Sequence, residues 1–377
     1  MSERDVAIVL SGGGVNGVLL QLGFLKRLRS SELWPRVGCI YGTSAGALTG
    51  TMAALDRLDA LEEFTLSLQP RDIFAPQRLW QLPLNGLHHY ALPATIAERL
   101  IEPTELAGAL AAAPIELIVF ATDVSEQAET SYELAYSSHE SAPEVFAEAV
   151  LASAAISALV LPLPVGDRIA TDGGWVRNFP LGRALERPGV ELVVAFRHVP
   201  TYPRVGTEPL DRLRRRLQRF RAVPPVRALI TQLDEAEGRA ARGEPVHLGD
   251  MIIRLMRVTV QRNTAVEEQL AADRDAACQE LEALRADLVQ LAREHARPGR
   301  RNRAARAVEE RFARTTLPRN VPRIVVRGHA GADSLEQGFR ESPEWAEHAK
   351  QALIARGWEA ADAELRAHDA GQLEQAS

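Results

Sequence analysis

Cysteine is nearly absent. The 377 residues contain two, Cys39 in an apolar run and Cys278 in a charged, helix-forming stretch. That excludes a disulfide framework as the basis of the fold and leaves a reducing compartment as the expectation. Long hydrophobic runs are missing too: the longest weakly polar stretch, 151–166, is broken by Pro162 and Pro164 and is too short to span a bilayer. Nor is positive charge in surplus. Lys and Arg number 44 against 50 Asp and Glu, for a net charge of -6, so nucleic acid is not expected as a partner, because phosphate binding needs a basic surface. The opening MSERDVAIVL passes from charged residues directly into a strand-like run. No cleavable signal peptide is expected there, and the chain reads as cytoplasmic.

What is present is an alternation. Residues 5–10 (DVAIVL) predict a buried strand, and 17–28 follow with Val18, Leu19, Leu22, Leu25 and Leu28 at helical spacing. A second strand and helix cover 37–55, and another helix 59–68. The stretch 70–93 is irregular, apolar and proline-rich, the composition of a lid or an acyl-chain wall as well as of surface packing. A helix is expected at 103–113, strands at 115–121 and 130–136, and a helix through 154 opened by a capping box at Ser141-Ala142-Pro143-Glu144. Strands at 168–171 and 192–196 follow. Alternating strands and helices predict an α/β fold with a mainly parallel sheet.

Beyond about residue 200 the composition shifts to Arg, Ala, Glu and Leu, predicting a mostly helical C-terminal region, 201–377, after a first domain at 5–200. The segment 210–221 pairs an apolar stripe (Leu210, Leu213, Leu217, Phe220) with six arginines. A solvated helix docked on the domain and a peripheral contact with an anionic membrane surface both fit it. One or two long helices are expected over 249–296, and 323–327 (RIVVR) has the composition of a strand returning to the main sheet.

The pentapeptide Gly42-Thr43-Ser44-Ala45-Gly46 lies between the second strand and its helix. A sharp strand-to-helix turn needs small residues at the corner and pushes the apical side chain outward, the form of a nucleophile elbow. Before the first helix, Gly12-Gly13-Gly14-Val15-Asn16-Gly17 satisfies the pattern of a dinucleotide-binding loop. That reading needs an acidic residue at the end of the second strand, where Tyr41-Gly42-Thr43-Ser44 stands instead. Glycine amides at a helix N-terminus also serve other anions, including the oxyanion of an acyl intermediate.

Serine needs a base. Chain order allows a Ser44–Asp123–His198 triad of the α/β-hydrolase kind. A second candidate is Asp172, which follows a strand in Asp172-Gly173-Gly174 and can act directly if its surroundings raise its pKa.

Taken together, Gly12-Gly13-Gly14-x-x-Gly17, Gly42-Thr43-Ser44-Ala45-Gly46 and Asp172-Gly173-Gly174 with Asn178-x-Pro180 resemble the patatin-like phospholipase family in motif, order and spacing. The run 151–156 is similar as well, and the resemblance covers about 5–200. It implies a three-layer α/β/α fold with a mainly parallel sheet. It also implies hydrolysis of lipid acyl esters, as a phospholipase A or lipid esterase, by a Ser-Asp dyad through an acyl-serine intermediate, without metal or other cofactor. Carried over by position, Ser44 is the nucleophile, Asp172 the base and the Gly12, Gly13 and Gly14 amides the oxyanion hole, with Gly17, Gly42, Gly46, Gly173 and Gly174 supporting the turns. Asn16 stands where the family commonly carries arginine or lysine, and Ser157 where it carries proline. A non-catalytic lipid-binding scaffold is the reading from another class.

Overall fold

The computed structural model of the chain describes residues 4–76, 88–126, 131–156, 159–200, 214–242, 248–297, 300–314, 318–337, 340–341 and 345–376. Its strands are β1 (Val6–Leu10), β2 (Val37–Thr43), β3 (Phe74–Pro76), β4 (His88–Tyr90), β5 (Glu116–Asp123), β6 (Glu133–Ser137), β7 (Leu163–Val165), β8 (Arg168–Asp172), β9 (Leu192–Val199) and β10 (Arg323–His329), with a short pair at Glu336–Gln337 and Arg340–Glu341. Eight of them form one sheet in the order β10-β9-β1-β2-β5-β8-β7, with β6 paired to β5. The pairs from β10 through to β5 are all parallel.

The unbroken apolar run of β1 follows from its place in the sheet. Val6, Ile8 and Leu10 sit in one buried cluster, Ala7 and Val9 in another, so each face of the strand meets a helical layer and no polar alternation is required. On the first face lie the helices Gly14–Arg29, Ala45–Ala54, Leu58–Ser67, Pro143–Ser153 and Glu347–Ala376, which supply Leu20, Phe24, Met52, Phe64, Phe146 and Leu353. On the second, Leu181 and Leu185 of the short helix Leu181–Glu186 and Ala271 of the long helix Leu248–His295 complete the core. The architecture is the three-layer α/β/α arrangement with a helical C-terminal region.

The sheet does not stop at residue 200. β10 lies parallel to β9 over seven register positions, Arg323 to His329. The C-terminal helix then packs on Gly14–Arg29, the helix that leaves the glycine loop. The two cross where Gly23 faces Gly357: a Cβ on Gly23 would stand 1.9 Å from the Ile354 carbonyl oxygen, and one on Gly357 1.9 Å from that of Leu20. Arg27 adds an ion pair to Asp362 at 2.8 Å. Near its start, the buried Lys350 ammonium donates to the carbonyls of Leu66 and Leu68 at 2.7 and 2.6 Å. It thereby satisfies orphan acceptors at the end of Leu58–Ser67.

Several expectations need correction in detail. Helix Pro143–Ser153 has Ala142 as its N-cap, and no side chain caps it; the box expected from Ser141 does not form. Pro143 occupies the first turn, where a missing N–H is harmless. The interval 249–296 is a single helix, Leu248–His295. Of the basic segment, 210–213 lie outside the described residues, 214–218 are helical, and turns follow. The core of the irregular stretch, 77–87, and Ser157 also lie outside them. Among the described residues, no helix is long and apolar enough to cross a membrane, and no group of His, Cys, Asp and Glu is arranged to hold a metal ion.

Candidate active site

The sheet topology brings two of the candidate site residues together. β2 runs beside β5 until Thr43 stands opposite Phe120, and β8 runs the other way until Asp172 stands opposite Ala121. Since β6 pairs with β5 over residues 118–122, β2 and β8 must share its other edge. Their C-terminal ends therefore meet head-on at consecutive rungs of one strand, and Ser44 and Asp172 are neighbours although 128 positions apart.

Ser44 sits at φ 53°, ψ -115°, a left-handed backbone that a side chain adopts only under constraint. The constraint is a tight corner. A Cβ on Gly46 would lie 2.3 Å from the Leu10 carbonyl oxygen, so the elbow helix abuts β1 and only glycine fits. Within the corner, the Ser44 amide donates to Ser153 Oγ at 2.9 Å, and that hydroxyl donates on to the Phe120 carbonyl at 2.6 Å. Ser153 thus satisfies an amide that the sharp turn strips of its strand partner. The Ser153 carbonyl accepts from Gly173, and that of Ala155 from Asp172, which fastens the second loop to the same helix end.

Ser44 Oγ donates to Asp172 Oδ2 at 2.8 Å. The other carboxylate oxygen, Oδ1, accepts from the Gly174 amide at 2.7 Å. One side of Asp172 opens to a cavity, but protein encloses the rest and removes bulk water. This burial outweighs the two hydrogen bonds, which favour the ion, and pushes its pKa up to about 6. A carboxylate so placed is ionised at neutral pH and basic enough to take a hydroxyl proton as the oxygen attacks.

The triad geometry is not found. His198 is buried beside Gly13, its backbone amide bonds Ser11 Oγ, and its Nδ1 has no hydrogen-bond partner. Burial holds the imidazole neutral, with a pKa of about 4. Asp123 is engaged elsewhere, accepting from the Ser125 amide at 2.9 Å and facing Arg168 at 3.4 Å.

The glycine loop lies against the elbow: a Cβ on Gly12 would be 3.4 Å from that of Ser44. The Gly12 amide, expected to face an oxyanion, instead donates to the Asn178 carbonyl at 2.9 Å. Among the described residues, the Gly13 and Gly14 amides have no protein acceptor. Gly17 packs on Ala45 and donates to the Gly13 carbonyl, while Gly42 is paired within the sheet. Asn16 is buried and bonds the C-terminal region. Its Nδ2 donates to Ser334 Oγ at 2.9 Å, and its Oδ1 accepts from the Leu335 amide at 3.0 Å. Where a basic residue was expected, the chain has an amide that ties down a segment more than 300 positions away.

Ser44 and Asp172 open onto a cavity of about 300 Å³ walled by Leu48, Met52, Phe64, Ile96, Leu110 and Phe146. Residues 8–185 match the family model "Patatin-like phospholipase". This segment is a patatin-like phospholipase domain. The elbow, the glycine loop and the Asp-Gly-Gly turn fall within the matched residues, and the match of this segment supports lipid acyl hydrolysis as the general activity. Among solved structures the chain is similar to VipD from Legionella pneumophila, with 12% identity over 97% of this chain and 67% of that one and a TM-score of 0.40. No curated protein matches the chain.

Sequence reasoning missed the contacts of Ser153, of Asn16 and of Thr264, a residue of the long helix whose Oγ1 accepts from Asn178 Nδ2 at 2.9 Å. For Ser153 a pointer existed, since it falls in the 151–156 run that resembles the family. The other two bond partners far along the chain.

Proposed function

We propose that the protein is a serine acyl hydrolase, a phospholipase A or lipid esterase, working through a Ser44–Asp172 dyad. The observation that carries this reading is the 2.8 Å hydrogen bond from Ser44 Oγ to a carboxylate raised toward neutrality, with no imidazole between them. Asp172 Oδ2 takes the hydroxyl proton while Oγ adds to the ester carbonyl. The Gly13 and Gly14 amides, at the positive end of helix Gly14–Arg29, stabilise the oxyanion. Collapse of the intermediate releases the alcohol, which leaves with the proton from Asp172, and the acyl group stays on Ser44. Asp172 then deprotonates a water that attacks the acyl-serine, and as that intermediate collapses the proton passes from Asp172 to Ser44 Oγ and the fatty acid departs.

The apolar cavity suits an acyl chain, with the polar end of the substrate at the dyad. The same proposal includes peripheral contact with an anionic lipid surface through 214–221, where Phe220 is exposed among arginines. Sedimentation with anionic and neutral vesicles tests that part.

The catalytic reading is tested by labelling with a fluorophosphonate probe. Wild type is expected to be labelled at Ser44 and to hydrolyse a soluble short-chain ester, and Ser44→Ala to do neither. Equal turnover by Ser44→Ala overturns the reading.

A further inference from the structure

The long helix Leu248–His295 lies outside the patatin-like domain and carries no reacting atom, yet it grips the loop that follows Asp172 at three places. Asn263 Nδ2 donates to the Trp175 carbonyl. Thr264 Oγ1 accepts from Asn178 Nδ2 at 2.9 Å. Glu267 pairs with Arg177 and accepts from the Gly182 amide at 2.9 Å. Positions 263, 264 and 267 share one side of a helix, so a single face makes all three contacts.

Asn178 is where these contacts reach the chemistry. Its side chain is buried, its backbone carbonyl oxygen holds the Gly12 amide, and its side-chain Oδ1 stands 2.3 Å from where a Gly12 Cβ would be. It thus joins the loop that carries the base to the loop that carries Gly13 and Gly14. The orientation of its amide group depends on Thr264. The threonine hydroxyl spends its own proton on the Val260 carbonyl at 3.0 Å and presents a lone pair to Asn178 Nδ2. The same helix also walls the cavity with Met256 and Val260.

We infer that Thr264 is a positioning residue for the dyad and the glycine loop, acting through Asn178, so that the helical C-terminal region completes the active site. This rests on the hydrolase reading above. The mechanism is geometric. Without an acceptor on Thr264 the Asn178 side-chain amide, whose Oδ1 packs against Gly12, is free to turn, and the packing between the Gly12 and Asp172 loops loosens around the backbone bond that remains.

The test uses the full chain with a soluble ester and the fluorophosphonate probe. Thr264→Val keeps the shape and removes the hydroxyl. It is expected to lower kcat and the labelling rate about ten- to a hundredfold, the scale of an ångström-size misplacement, with KM unchanged. Thr264→Ser restores the hydroxyl and is expected to restore kcat. Wild-type kcat in folded Thr264→Val overturns the inference. So does an equal loss in Thr264→Ser, or a loss that vanishes on assay well below the Tm of the variant. If Thr264→Val does not fold, Asn263→Ala takes its place: a kcat loss at constant KM supports the brace, and wild-type kcat overturns it. Turnover retained in Ser44→Ala defeats the hydrolase reading separately, whatever happens at 264.

Discussion

The segment up to residue 200 and the segment after it divide the labour of one site. The first supplies every group proposed to react: Ser44 at a strained corner, Asp172 at the end of β8, and the amides of Gly13 and Gly14. The second supplies none of these but fastens two of their carriers, the glycine-loop helix and the loop after Asp172. β10 flanks β9, Ser334 and Leu335 hold Asn16 in the first turn of the glycine-loop helix, the C-terminal helix locks onto that helix at Gly23, and Thr264 holds Asn178. Chemistry is thus concentrated in a few small residues, while their geometry is distributed over the chain. Substitutions of the groups proposed to react should remove activity without loosening the protein, and those at the packing contacts of the second segment should loosen it, whereas Thr264 is expected to act on kcat.

The largest effect is expected at the base. Asp172→Asn should lower ester turnover by roughly four orders of magnitude, as loss of a catalytic carboxylate does. His198→Gln should change it by less than about tenfold, under 1.4 kcal/mol of barrier. Steady-state kinetics on both variants decide between dyad and triad.

The second concerns pH. Asp172 must be ionised to act, so with its pKa near 6 the wild-type kcat/KM should fall about tenfold per pH unit below that value and level off above it. The stability consequence has the opposite sense. The folded pKa lies above the unfolded value of 3.8, so the native state holds the proton more tightly. That contribution is fully present below about pH 4 and is lost as pH rises through 6. At pH 7 it amounts to at most about 3 kcal/mol against the native state. Asp172→Asn should therefore raise the Tm at pH 7 while abolishing turnover, and the gain should disappear near pH 4 in thermal scans.

A third prediction breaks the second segment's hold. Gly357→Ala places a methyl group against the Leu20 carbonyl and must push two helices apart, costing about 1–3 kcal/mol. A Tm lower by several degrees, with kcat nearly intact at low temperature, is the expected result. Unchanged Tm would mean that the crossing relaxes freely.

The smallest expected effect is at the loop clamp. Asn16→Ala leaves the Leu335 amide without its acceptor, worth about 1 kcal/mol net and more if water cannot reach it. Denaturant titration measures it, and Asn16→Asp, which keeps an acceptor for Leu335 but no donor for Ser334, should lose less.

The division also explains what could be read from the amino-acid order. The elbow and the glycine loop were legible because close approaches, of Gly46 to Leu10, Gly42 to Gly46 and Gly12 to Asn178, leave no room for a side chain and so leave glycine at fixed offsets around Ser44. The apolar runs of β1, β5 and β9 were legible because both faces of the sheet are covered there, while β10, at the edge, shows the alternation of a strand covered on one face. The fate of the Gly12 amide was not, since a glycine motif shows that backbone comes close to something without showing what. That Thr264 meets Asn178, 86 positions away, could not be read from helical periodicity, which gives a face but not its neighbour. The box at Ser141 failed for a local reason: Pro143 suits the first turn itself, which moves the cap to Ala142 and leaves the serine hydroxyl no role.

The meeting of β2 and β8 on β5 makes that strand a ruler. Ser44 follows Thr43, which stands opposite Phe120, and Asp172 stands opposite Ala121, so their spacing is graduated by a covalent step of about 3.3 Å along one backbone. Helices may shift by fractions of an ångström on either face without altering that graduation. A one-residue insertion in β5 would shift one carrier relative to the other by a whole rung and turn its side chains to the opposite face. Turnover is then a readout of sheet register, and loss of the dyad on heating should coincide with opening of β5 rather than with earlier loosening of the helical layers.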